Sequence, residues 1–175
     1  MSGDRARLIR AADAERRELR GPSRSGTVTI LSDPETTGAS SYACGAQQLP
    51  PGAQIPIHRH PDQEEALLFQ GGQGEAFLSH DWQPVSTGDT LHIPAGVWHG
   101  VRNVGEEALS LTWIISPPGL ERMFRAISEP EGETALPLSD TEFLEIATAC
   151  GLEYPDLLPA IPGGPEPAAR DLYRT

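Results

Sequence analysis

Three textures of hydrophobic and polar positions follow one another along the chain. In residues 6–20, Leu8, Ala11, Ala12, Glu15 and Leu19 recur at helical spacing among many charges, which predicts an amphipathic helix with a narrow apolar stripe. Gly21-Pro22 would stop it. From residue 27 to about 116 that period gives way to short apolar runs: Val28-Thr29-Ile30-Leu31, Ile55-Pro56-Ile57, Ala66-Leu67-Leu68-Phe69, Leu91-His92-Ile93 and residues 109–115. Turn formers separate them, among them Ser32-Asp33-Pro34, Pro50-Pro51-Gly52, Gly71-Gly72, Thr87-Gly88-Asp89 and Pro94-Ala95-Gly96. Short strands at such spacing predict an all-β sandwich or barrel. After Pro117-Pro118-Gly119, helical spacing returns in Leu120, Met123, Phe124 and Ile127. A further helix is bracketed by a Ser139/Glu142 capping box and by Gly151, with Phe143, Ile146, Ala147 and Cys150 on one face. The Pro- and Gly-rich tail from Pro159 is expected to be extended. The chain therefore divides into an N-terminal helical extension (1–25), a barrel (26–117) and a C-terminal helical segment with its tail (118–175), without internal repeats or a second domain.

Composition narrows the chemistry. Gly 18 and Pro 17 fit many tight turns better than a helical bundle. A net charge of −12 argues against nucleic acid and anionic membrane surfaces as partners. All 13 cationic residues are arginine, which removes lysine Schiff-base and lysine general-base mechanisms, because a guanidinium stays protonated. Cys44 and Cys150 form neither a metal-type pair nor a disulfide framework. The charged N-terminus and the lack of a long apolar run lead to an expectation of a soluble, cytoplasmic protein.

Of the five histidines, His58 and His60 are two apart, which puts both on one face of a strand. Glu65 follows a Pro61-Asp62-Gln63 turn, and His99 lies far along the chain after another turn. Two strand histidines, a carboxylate from the next strand and a distant histidine can converge inside a small barrel, and imidazole with carboxylate suits divalent first-row metals. Taken alone, a histidine pair fits two solvent-facing edge-strand residues better. Other candidates have ordinary structural readings: His92 as a packed histidine lining the barrel, and His80 as an exposed residue of a hairpin. Arg59 and Arg102 read as surface ion-pair partners, and Trp98 and Trp113 as core or pocket wall. Asn103 reads as a hydrogen-bonding brace near His99. No serine or cysteine nucleophile elbow, phosphate loop or dinucleotide fingerprint appears.

The stretch Gly52-Ala-Gln-Ile-Pro-Ile-His58-Arg-His60-Pro-Asp-Gln-Glu-Glu65-Ala-Leu-Leu-Phe-Gln-Gly-Gly72 resembles the first motif of the cupin superfamily. Gly88-Asp-Thr-Leu-His-Ile-Pro94-Ala-Gly96-Val-Trp-His99-Gly-Val-Arg-Asn103 resembles its second motif, and residues 73–87 separate the two at a spacing familiar in single-domain bacterial cupins. The resemblance implies a double-stranded β-helix (jelly-roll barrel), commonly a homodimer. Its central metal would be held by His58, His60, Glu65 and His99. Both Glu64 and Glu65 satisfy the motif spacing. Strand alternation favours Glu65, which shares a face with Leu67 and Phe69, while Glu64 would point outward.

Functionally, the resemblance implies a small-molecule substrate and one divalent transition metal, with Fe(II) favoured and Mn, Ni, Co, Cu or Zn acceptable to the same ligands. The segment Trp113-Ile-Ile-Ser-Pro-Pro-Gly-Leu-Glu-Arg-Met-Phe is similar to the one that closes the barrel in quercetin-dioxygenase-like cupins. The reading favours a dioxygenase-type oxidoreductase on an enol or phenol, with Glu65 also the base that deprotonates the substrate. A non-redox isomerase, cyclase or lyase is the alternative, followed by a non-catalytic ligand-binding barrel.

Overall fold

A computed structural model describes residues 6–21, 24–133 and 137–155. The Pro-rich tail lies outside these residues. Eleven strands and two α-helices follow in the order β1 (Glu15–Leu19), β2 (Gly26–Ser32), β3 (Ala43–Leu49), β4 (Gln54–His58), β5 (Glu64–Gly71), β6 (Gln73–Leu78), β7 (Asp81–Ser86), β8 (Thr90–Ile93), β9 (His99–Arg102), β10 (Leu109–Ser116), α1 (Leu120–Ile127), β11 (Ser128–Pro130) and α2 (Asp140–Ala149). They form an antiparallel seven-stranded sheet, β11-β1-β2-β3-β10-β5-β8, and an antiparallel four-stranded sheet, β4-β9-β6-β7.

Alternation decides which side chains enter the core. Along β10, Leu109, Leu111, Trp113 and Ile115 are buried while the residues between them face outward. Val28 and Ile30 of β2, Leu67 and Phe69 of β5 and Val101 of β9 meet them in one continuous apolar cluster. Gly45 makes room for the largest of these residues: a Cβ there would lie 2.4 Å from Trp113 Cζ2 and 2.0 Å from the Thr29 carbonyl oxygen. The indole therefore lies flush against β3. At Gly72, Gly88 and Gly96, in the turns that carry the chain from one sheet to the other, the backbone takes φ of 82°, 96° and 77°, which side chains with a Cβ rarely adopt.

The expected N-terminal helix is not present. Residues 11–13 form a single 3-10 turn, and residues 15–19 are strand β1, paired with β2 on one edge and β11 on the other. The charges of this segment are used across the sheet. Arg17 donates to the Ser128 hydroxyl and to the carbonyls of Arg125 and Ser128, and Glu15 accepts from Arg125. Two ladders of backbone hydrogen bonds plus these pairs outweigh the modest helical preference of a short segment, whose Leu8 is 76% exposed.

Both C-terminal helices form where the spacing places them. α2 carries the full capping box, Ser139 accepting from the Glu142 backbone and Glu142 from that of Ser139, and Gly151 follows its end with φ 90°. The chain beyond it then pairs with the barrel. Arg59 and Glu153 exchange backbone hydrogen bonds of 3.0 Å in both directions, and their side chains form an ion pair. This strap buries Leu152 and Tyr154. Among the described residues, no helix is long and apolar enough to cross a membrane.

Candidate metal centre

His58 ends β4, and His60 lies two residues on, beyond the single Arg59–Glu153 bridge. Glu65 is the second residue of β5, and His99 opens β9 directly opposite His58. Strands from both sheets thus deliver four side chains to one point inside the barrel. Each is at most 6% exposed, and one ligand atom from each lies within 4.8 Å of the others. Of the two adjacent glutamates, Glu65 joins the group and Glu64 is exposed.

The hydrogen bonds around the group fix how its imidazoles are turned. His58 Nδ1 lies 2.7 Å from the Pro56 carbonyl and His99 Nδ1 2.9 Å from that of Val97, so both Nδ1 atoms are donors. Their Nε2 lone pairs then face inward. His58 Nε2 is 3.1 Å from His60 Nε2, and His99 Nε2 is 3.1 Å from Glu65 Oε2. With no cation present, a proton on His60 Nε2 can bridge to His58 or to Glu65, 3.6 Å away, and a second proton on His99 can bridge to Glu65. A cation at the centre would take the place of those shared protons, and the backbone hydrogen bonds are those that orient metal-binding imidazoles. His60 departs from the pattern, because its Nδ1 is buried without a hydrogen-bond partner among the described residues.

Electrostatics point the same way. Burial, then the neighbouring His99 and His60, hold His58 well below the usual histidine pKa, against the pull of Glu65 and the Pro56 carbonyl. It is therefore neutral and free to coordinate near pH 7. Burial pushes the Glu65 carboxyl up, but hydrogen bonds from His60 and His99, reinforced by their charge, bring it far below the normal carboxylate range. One anion and three imidazoles match a hard-to-borderline divalent metal, with coordination positions left for a ligand.

His58, Glu65 and His99 open onto a cavity roofed by α1 and α2, whose wall includes Leu67, Val101, Met123, Phe124, Phe143 and Tyr154. Trp113 is both core and cavity wall. Several expectations hold around it. Asn103 is buried, donating to the carbonyls of Leu49 and Glu107 and accepting from Gly105. Arg59 pairs with Glu153 and lies over Trp98, and Arg102 pairs with Glu75 and lies over Trp82. His80 is exposed in the β6–β7 hairpin. His92 is a correction: it sits opposite Ala66 on the outward face and is exposed. The parity of β8 sends Ile93 inward and therefore His92 outward. The sequence reading missed Arg24, Gln47, Phe143 and Tyr154 as cavity residues. None lies in a recognisable motif, and Arg24 and Tyr154 come from loop segments without periodicity.

Comparison with known proteins agrees with this architecture. A family model described as Cupin domain matches residues 45–115. Protein SchB of Streptomyces halstedii is 33% identical over 117 residues, covering 67% of this chain and 82% of that protein. Polyketide synthase CurC of Streptomyces cyaneus is 32% identical over 113 residues, covering 65% and 71%. Among solved structures, KdgF from Halomonas sp. superposes with a TM-score of 0.56 at 16% identity, over 65% of this chain and 96% of that one. A sugar phosphate isomerase of the cupin superfamily from Silicibacter pomeroyi does so with a TM-score of 0.54 at 20% identity, over 65% and 77%. With its two motifs, its double-stranded β-helix and these relatives, the chain belongs to the cupin family.

Proposed function

We propose that this cupin is a metal-dependent enzyme acting on an enol, a phenol or a related enolisable carbonyl compound, with dioxygenase-type oxidation as its leading reaction. One observation carries the proposal: a buried three-histidine, one-carboxylate group opens onto a cavity whose walls are almost entirely apolar. His58, His60, Glu65 and His99 would hold the ion, Fe(II) being favoured because it can pass electrons to dioxygen. When bound, the metal supplies Lewis acidity toward an enolate oxygen and redox chemistry toward dioxygen.

The chain's own residues have separate tasks. The apolar wall strips water from the substrate and strengthens every charge interaction beside the cluster. The backbone carbonyls of Pro56 and Val97 keep the His58 and His99 rings in one tautomer. Glu65 receives the substrate's hydroxyl proton. With its carboxyl held so far below the normal range, it is a weak base and suits acidic enols and phenols rather than alcohols.

A non-redox cyclisation or isomerisation is the second reading. One relative supports it, since CurC bears the name polyketide synthase. Polyketide chains are poly-β-carbonyl compounds that ionise to enolates, so both readings share a substrate class. Dioxygen uptake separates them. Protein loaded with Fe(II) under anaerobic conditions and then given a 1,3-diketone or catechol should consume one dioxygen per substrate, with both oxygen atoms entering the product. Substrate conversion without dioxygen uptake would establish the second reading. No conversion of any such compound by metal-loaded protein would overturn both.

A further inference from the structure

The metal cluster is not the cavity's only chemical feature. Arg24 also lines it, with a side chain only 12% exposed. Its Nη1 donates to Asp140 Oδ1 at 2.9 Å, and Asp140 itself is 86% exposed at the surface. Nε and Nη2 are buried and have no hydrogen-bond partner among the described residues. Those two N–H groups form the side-on edge of the guanidinium, the edge that grips a carboxylate with two parallel hydrogen bonds. Arginine cannot shed its charge to ease burial, and a desolvated cation with idle donors is costly.

An aromatic run connects this edge to the metal cluster. The Arg24 guanidinium lies 4.3 Å from the Phe143 ring centre. Phe143 packs edge-on against Tyr154 at 5.6 Å, and Tyr154 stacks on His58 at 5.8 Å with 24° between the ring planes. The cavity lining thus includes a cation whose Nε and Nη2 have no partner among the described residues, the Phe143 and Tyr154 rings, and His58, Glu65 and His99 of the cluster.

We infer that Arg24 is a specificity residue that receives a carboxylate on the substrate, at the end remote from the oxygen bound at the metal cluster. The ligand class is then a planar or aromatic compound with an enol or phenol at one end and a carboxylate at the other. This rests on the metal-site reading for the enol end only, since the carboxylate end is argued from Arg24 itself. Asp140 acts as its anchor, holding Nη1 so that the Nε/Nη2 edge stays available. Phe143 supports the guanidinium through its ring face.

The test uses 6-hydroxy-2-naphthoate and its methyl ester as probes, titrated calorimetrically into full-length Zn(II)-loaded protein so that dioxygen chemistry does not consume them. Wild-type protein should bind the acid more tightly than the ester by about tenfold or more. Arg24→Gln should bring the two within about twofold while leaving metal content unchanged. Arg24→Lys, which keeps the charge and loses the fork, should fall between them. Asp140→Asn should retain most of the acid preference. An equal affinity of wild-type protein for acid and ester, a preference that survives in Arg24→Gln, or no binding of either probe would overturn the inference. Metal content is measured on the same samples. Acid preference that needs Arg24 in protein that holds no metal would sustain the inference while sinking the metal-site reading.

Discussion

At the scale of single residues, the division of labour between two adjacent glutamates is the sharpest feature. Glu65 is 6% exposed within contact of two imidazoles, while Glu64, one residue earlier on β5, faces out. Glu65→Gln removes the only carboxylate of the cluster and should cut metal affinity by about 10-fold or more, whereas Glu64→Gln should leave it unchanged. Metal titration of the two variants checks this, and equal losses would place the carboxylate's role elsewhere. This part of the site was legible in the sequence, because strand period fixes parity and the motif fixes which parity points inward. The opposite end was not legible. Arg24 stands in a loop after Gly21-Pro22, and Tyr154 follows the Gly151 stop of a helix. Only the closing of α2 and its strap over the barrel brings them to the cavity, and no local spacing records a contact of that kind.

At the scale of elements, β1, α1 and the turn after β2 are joined by a small charge cluster around Arg125. Its guanidinium reaches Glu15 at 2.7 Å and the fully buried Asp33 at 2.7 Å. Burial raises the Asp33 carboxyl, but hydrogen bonds from the Thr36 backbone and hydroxyl and the charge of Arg125 more than offset this, so its folded pKa is depressed. A depressed carboxylate contributes stability above its unfolded pKa, about 4, and loses that contribution as pH falls through the folded value. Arg125→Ala leaves Asp33 buried without its cation and should destabilise the fold by roughly 3 kcal/mol near pH 7. Denaturant unfolding across pH should show the gap to wild type narrowing below about pH 4 as Asp33 takes up its proton. A gap that is constant with pH would mean that Arg125 acts by packing alone. The N-terminal helix fails for the same reason: Glu15 and Leu19 satisfy a strand's alternation as well as a helix's stripe, and the partners of Glu15 and Arg17 lie more than a hundred residues away. β3 left little trace for a related reason, because Ala43–Leu49 is built from small and polar residues that fit around Trp113 rather than from an apolar run. By contrast β2, β5, β8, β10 and both helices coincide with the runs and caps that the sequence displays.

At the scale of the whole molecule, two sheets and two helices place an ion-ready cluster in the buried interior of the barrel. The barrel supplies the parity, β4 and β9 set His58 opposite His99, and α1 and α2 line the cavity beside them. A cluster preformed in this way should bind its metal without refolding, and the bound metal should in turn stabilise the native chain by mass action. The most direct test of the central claim is elemental analysis of the purified protein after anaerobic Fe(II) loading and desalting, alongside His58→Ala and His99→Ala variants verified as folded by circular dichroism. The account predicts close to one metal per wild-type chain and little in either variant. Wild-type protein that retains no metal after loading, or variants that retain the full equivalent, would contradict it.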